Sequence, residues 1–220
     1  MRSINEICDA LQRDGFAVQD ALLPKSVFDE LDKRVVESWR SGIGWGTRVK
    51  GLGPSHLLPL QLGTRLRKVA ALIDCVMDGS GDSFTYLYHQ LHKDRDESGL
   101  LHRIEEVTCA AWREVIGHLV GPFDRTNFSL TAFTPGCRLE RHTDFGGQDA
   151  YRLTILLYFS SKGTSEVPLL FGESKAPIRI RPVPNRSVIF VPSTATTHWI
   201  DPVPFEENYP VRLAFSGWLL

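Results

Sequence analysis

Apolar positions recur with two different periods along this chain, and the change between them falls near residue 125. Before it the spacing is helical. "NEICDALQRDG" places Ile7, Ala10 and Leu11 on one face and stops at Gly15. The alternating "GFAVQDALLP" that follows predicts one short strand. In "PKSVFDELDKRVVESWRSG", Val27, Leu31, Val35 and Trp39 repeat every four residues, and Pro24 suits a first helical turn. "SGIGWGTRVKGLGP" is glycine-rich and reads as an irregular loop. "TRLRKVAALIDCVMDG" predicts a second helix, "GSGDS" a turn, and aromatic, alternating "FTYLYHQL" a strand. "ESGLLHRIEEVTCAAWREVIGHLVG" carries one long helical period that ends at Gly121.

After residue 125 the runs are short and β-like, with turn residues between them: "FSLTAFTP", "CRLERHTD", "YRLTILLYFS", "PLLFG", "IRIRPVP", "SVIFVPS", "THWIDPV" and "VRLAFSGWLL". Strands of this length and spacing predict an antiparallel sandwich or jelly roll. Neither an internal repeat nor a flexible linker separates the halves. The 220 residues are therefore expected to form one domain, with 1–125 as helical support and 126–220 as the β core.

Composition narrows the function classes. The chain is 42% hydrophobic and 23% charged, with 25 basic against 26 acidic side chains. No basic stripe calls for nucleic acid or anionic lipid, and no apolar run approaches a membrane span. The N-terminus, "MRSINEICDALQRDGF", lacks the apolar stretch of a secretion signal. Cys8, Cys75, Cys109 and Cys137 are scattered, without a C-x-x-C pair, which disfavours a zinc site or a disulfide framework. A cytoplasmic protein with reduced thiols is expected.

Candidate chemistry starts in "ERHTDFGG". On an extended segment His142 and Asp144 point to one side and converge. That suits a divalent metal if a third ligand arrives; alone, it also reads as a polar strand end before a turn. A facial iron site needs two histidines and one carboxylate. Among His56, His89, His92, His102, His118 and His198, only His198 sits in the β-rich half, on a late strand able to lie across a jelly roll from the early one. Arg212 stands among Val211, Leu213, Phe215 and Trp218. If buried, its guanidinium needs a partner and fits a carboxylate bidentately. On an edge strand it would instead pair with Glu206 or Glu207.

Taken together, the order His142-x-Asp144, His198, Arg212 resembles the Fe(II)- and 2-oxoglutarate-dependent oxygenases, in their prolyl-4-hydroxylase-like branch. "FTPGCRLERHTDF" is similar to that branch's Tyr-x-Pro-Gly approach to its His-x-Asp strand. "YRLTILLYFS" resembles its next strand, "HWIDPV" its His-x-Val-x-Pro-Val, and "VRLAFSGWLL" its closing Arg-x-Ser/Ala-x-x-x-Trp. "LQRDGFAVQDALLP" looks like the family's opening. The resemblance covers 126–220 well, 1–40 loosely and 41–125 only in layout. It departs in "EVPLLFG", where a Gly-Gly is usual, and in the long acidic stretch between His198 and Arg212.

The resemblance implies an α+β protein with a mainly β core. That core would be a double-stranded β-helix (jelly roll, cupin-like) with N-terminal helices packed on it. It implies Fe(II) on His142, Asp144 and His198, and 2-oxoglutarate on Arg212, with the Tyr158 hydroxyl beside it. O2 would be the oxidant. Halogenases of the family lack the carboxylate that Asp144 supplies, so hydroxylation is the expected outcome. The substrate is expected to be a small molecule, with no nucleic acid or membrane partner. A protein or peptide is the alternative substrate, and a non-catalytic binding module the third reading. Trp45, Arg48, Tyr88, Arg141 and Arg152 are the candidate substrate residues, the first two within a glycine-rich candidate lid.

Overall fold

The computed structural model describes residues 2–51, 54–76, 84–146, 151–160, 167–173, 175–206 and 210–220, with the backbone alone at 74–76. The turn expected at 79–83 and the acidic Glu207 lie outside them.

Helix α1 (Ile4–Asp14) starts at a capping box between Ser3 and Glu6, buries Ile7 and Ala10, and ends where Gly15 takes φ 78°. Strand β1 (Ala17–Gln19) leads to α2 (Lys25–Ser41), which Pro24 precedes and which buries Phe28, Leu31 and Val35. Next come β2 (Gly46–Lys50) and β3 (His56–Pro59). The loop expected at "SGIGWGTRVKGLGP" is therefore partly a strand. Its glycines masked a pairing supplied by tertiary context: β2 pairs with β3 on one side and β4 (Tyr86–His92) on the other. Helix α3 (Gly63–Val76) buries Leu66, Ala70 and Ile73.

The single long helix expected after residue 97 is two, α4 (Leu100–Ala111) and α5 (Arg113–Leu119). They break at Trp112, whose indole is fully buried and donates to Ser187 Oγ at 3.0 Å. That tertiary anchor diverts the chain despite an unbroken helical period.

The eight expected strands all form: β5 (Thr126–Phe133), β6 (Arg138–His142), β7 (Leu153–Phe159), β8 (Leu169–Phe171), β9 (Ile178–Ile180), β10 (Ser187–Phe190), β11 (His198–Ile200) and β12 (Arg212–Leu219). Every described pairing is antiparallel, in the order β1-β10-β7-β12-β5-β4-β6-β11-β8-β9. The sheet curls because β4 serves two neighbours. His89–His92 pair with β5, while Tyr86 and Leu87 pair with β6. The result is a half-barrel of the double-stranded β-helix type with helices packed on it. Residues of α1, α2, α4 and α5 share one core with Phe128, Leu130, Ile155 and Phe215 of the sheet. A second core joins α3 to Leu87, Phe133, Phe171 and Phe190. None of the helices among the described residues is long and apolar enough to cross a membrane.

Candidate metal centre and active site

His142 ends β6 and His198 begins β11, and the two are register partners on neighbouring strands. The late strand thus lies beside the early one rather than across the barrel from it. Asp144 follows two residues after His142. His142 Nε2 lies 3.6 Å from Asp144 Oδ1, and His198 Nε2 lies 3.9 Å from Asp144 Oδ2. All three ligand atoms fall within 4.8 Å of one another, close enough to surround one ion.

The protonation pattern suits a metal. His142 Nδ1 donates to the Glu140 carbonyl at 2.8 Å, and His198 Nδ1 donates to the Thr196 carbonyl at 3.0 Å. Each ring therefore keeps its Nε2 lone pair for the centre. Phe84 stacks on His142 at 4.3 Å, and Phe190 lies 4.8 Å from His198, so both rings are held by packing. Burial pushes His198 down to about 4, aided by His142. At Asp144, burial opposes the charge. The adjacent His142 and His198 rings and the Trp218 N–H outweigh it and hold the carboxyl at about 2. Two neutral imidazoles and one carboxylate are the donor set that Fe(II) takes in facial sites.

Arg212 is 2% exposed. Its strand is central, paired with β5 on one side and β7 on the other, which removes the edge-strand reading. The guanidinium lies over the rings of Phe133 and Tyr158, at 5.1 and 5.0 Å. Its Nη2 donates to the Tyr158 hydroxyl at 3.3 Å, and its Nε has no partner. Among the described residues no carboxylate pairs with it. A buried, permanently charged fork with an orphaned donor is costly unless an anion completes it. The distal carboxylate of 2-oxoglutarate fits that need.

Arg212 and the three candidate ligands line one cavity of about 600 Å³. Arg48 and Tyr88 line it too, opposite each other on β2 and β4. The other three candidate substrate residues are placed elsewhere. Trp45 is buried against Trp39 in the helical core, its indole N–H on Ser38 Oγ. Arg141 donates to the Gly172 carbonyl and lies over the Trp199 ring. Arg152 donates to the Pro122 carbonyl at the surface.

Of the remaining histidines, His89 is fully buried between Thr47 and Thr134, and His56, His102 and His118 are exposed. His92 lines the cavity. Two residues that sequence reasoning passed over complete the centre. Thr154 Oγ1 and Trp218 Nε1 each donate to Asp144 Oδ2 at 2.9 Å. Both stood in quoted strands, but nothing in strand alternation says that they meet across β7 and β12.

Comparison with known proteins agrees with this geometry. Residues 128–220 match the family model described as the 2OG-Fe(II) oxygenase superfamily. Among curated proteins, none matches the sequence. Solved structures share the fold at low identity. One is a prolyl hydroxylase in complex with a hypoxia inducible factor oxygen degradation domain peptide fragment from Trichoplax adhaerens. It has 17% identity and a TM-score of 0.64, covering 99% of this chain and 88% of that one. A Pseudomonas putida prolyl-4-hydroxylase has 14% identity and a TM-score of 0.59, with 98% and 97% covered. The non-heme alpha ketoglutarate dependent epimerase SnoN from nogalamycin biosynthesis has 11% identity and a TM-score of 0.62, with 99% and 82% covered. The match spans residues 128–220, the β core that carries the candidate triad and Arg212, and enzymes of that superfamily use Fe(II), 2-oxoglutarate and O2.

Proposed function

We propose that the protein hydroxylates an unactivated C–H bond of a small molecule, an amino acid or a biosynthetic intermediate, releasing succinate and CO2. His142, Asp144 and His198 would hold Fe(II), and Arg212 with Tyr158 would hold the far carboxylate of 2-oxoglutarate. When bound, iron, cosubstrate and O2 together supply the oxidising power, with one oxygen atom going to the substrate and one to succinate. The protein's own part is orientation and exclusion of water. Residues 1–125 would act with the β core as one unit, supporting it and covering the cavity.

The observation that carries the small-molecule reading is the cavity. At about 600 Å³ it has the size of sites that enclose a ligand. Arg48 and Leu57 of the β2–β3 hairpin stand in its wall. A peptide substrate is the second reading, favoured by the fold shared with a peptide-bound prolyl hydroxylase. The fold likeness to an epimerase is of similar strength, so the fold does not choose between them.

The test is 2-oxoglutarate-dependent succinate release in the presence of either an ultrafiltered metabolite extract or an unfolded protein fraction. Stimulation by the metabolite fraction, with a product heavier by one oxygen atom, is expected. Stimulation by the protein fraction alone would select the peptide reading.

A further inference from the structure

The cavity wall carries four residues of fixed formal charge: Arg48, Asp94, Asp144 and Arg212, counted among the described residues. Asp144 belongs to the metal centre and Arg212 to the cosubstrate. One cation and one anion remain, and they stand at opposite ends of the same wall.

Arg48 sits on β2 opposite Tyr88 and has no carboxylate partner among the described residues. Asp94 follows the far end of β4, where its carboxylate takes a 2.7 Å hydrogen bond from His92 Nδ1 and is 73% exposed. That bond holds the Asp94 carboxyl below the usual carboxylate range. Beyond His92, Arg95 adds only the weakest pull on it. Lys93 is committed to Glu105 and Thr126, and Arg95 lines a separate cleft with Arg34 and Glu37.

From Tyr88 to His92 strand β4 rises about 13 Å. Between these ends its polar side chains are hydrogen-bonded: Gln90 donates to Ser129 Oγ at 3.0 Å, and His92 Nε2 meets Asn127 Oδ1 at 3.4 Å.

We propose that the substrate is an elongated zwitterion, with its carboxylate on Arg48, its ammonium on the His92–Asp94 pair and its methylene chain carried past the metal triad. This rests on the small-molecule reading and names the charge pattern of that molecule. An anion alone would forgo the contact at Asp94, and a cation alone the contact at Arg48, so each end favours the zwitterion over a singly charged analogue.

The test uses 6-aminohexanoate, hexanoate and hexylamine as probes of the intact protein loaded anaerobically with Fe(II) and 2-oxoglutarate. The weak visible band of the chelate and calorimetry are the readouts. The zwitterion should perturb the band and bind at least about ten-fold tighter than either analogue, the effect of one charged hydrogen bond. Asp94→Asn should abolish its advantage over hexanoate, and Arg48→Ala its advantage over hexylamine, with 2-oxoglutarate affinity retained in both. Equal binding of the three probes, no binding of the zwitterion, or a preference that survives both substitutions would overturn the proposal while leaving the oxygenase reading intact. Weakened 2-oxoglutarate binding in Arg48→Ala would overturn it by assigning Arg48 to the cosubstrate. Failure of the chelate band to form in wild-type protein would instead reject the metal and cosubstrate assignment beneath it.

Discussion

Trp218 Nε1 donates to Asp144 Oδ2 at 2.9 Å, across 74 residues of sequence. Thr154 Oγ1 donates to the same oxygen. Both bonds fall on Oδ2, which fixes the carboxylate and turns Oδ1 toward His142. Trp218→Phe keeps the ring that stacks on Tyr151 at 4.4 Å but deletes the donor. Fe(II) affinity should fall by about ten-fold or more, with Thr154→Val behaving similarly and the pair worse than either. Anaerobic Fe(II) titration followed by metal-dependent fluorescence or absorbance checks this.

Removing Arg212 should separate cosubstrate from metal. Arg212→Ala is expected to weaken 2-oxoglutarate by about a hundred-fold, since a charged, water-excluded pair is lost. Iron affinity should stay within a few-fold. Tyr158→Phe loses a single hydroxyl contact of 3.3 Å and should cost only about two- to ten-fold. The chelate band, titrated with 2-oxoglutarate at fixed iron, reads both. Equal iron loss in Arg212→Ala would count against this division of labour.

Two buried histidines make the metal-free protein acid-sensitive. Burial pushes His89 down to about 4, and burial with His142 does the same for His198, from ordinary values near 6.5. Between pH 4 and 6.5 the unfolded chain therefore binds protons that the folded chain refuses. Stability must then drop as pH falls through that window and level off above it. Asp144, held low, adds a further loss as pH falls from 3.8 toward 2. Urea midpoints at pH 7 and pH 5 should differ clearly, and His89→Gln should shrink the difference without touching the metal ligands.

Gly217 lies between Ser216 and Trp218 where β12 runs against β5. A Cβ there would sit 2.0 Å from the Asn127 carbonyl oxygen and 2.7 Å from Phe128 Cα. Both are backbone and cannot swing away. Gly217→Ala should cost about 1–3 kcal/mol. It should also loosen the Trp218–Asp144 bond, so a lower melting temperature is expected together with weaker iron binding. An unchanged melting temperature would show that the strands part without penalty.

What could be read from the sequence divides along physical lines. The order His142-x-Asp144, then His198, was legible as a motif, although Asp144 lies just past the end of β6, and the eight C-terminal strands were legible from their short β-like runs. Helix ends were too, since Gly15 and Gly42 both adopt left-handed φ where the pattern stops. Strand β2 was not: Val49 is its one large apolar residue and glycines surround it, and pairing with β3 and β4 makes it extended. Nor was the burial of Trp45, which depends on where α2 packs, or the outward tethering of Arg141 and Arg152 by backbone carbonyls. Thr154 and Trp218 were in view as strand residues, but their meeting at Asp144 is a property of the curl.

The two ligand histidines share one device. In each, the ring of residue i donates to the carbonyl of residue i−2: His142 to Glu140, His198 to Thr196. Tautomer choice is thus written into the main chain, and substitutions at 140 and 196 leave it untouched. The carboxylate has no such insulation, because both of its supports are side chains. Loss of iron binding on substitution is therefore expected to be lopsided, small at 140 and 196, whose side chains hold the local backbone, and large at 154 and 218. A library scan that varied all four positions would show where an engineer can alter the surroundings of the metal without losing it.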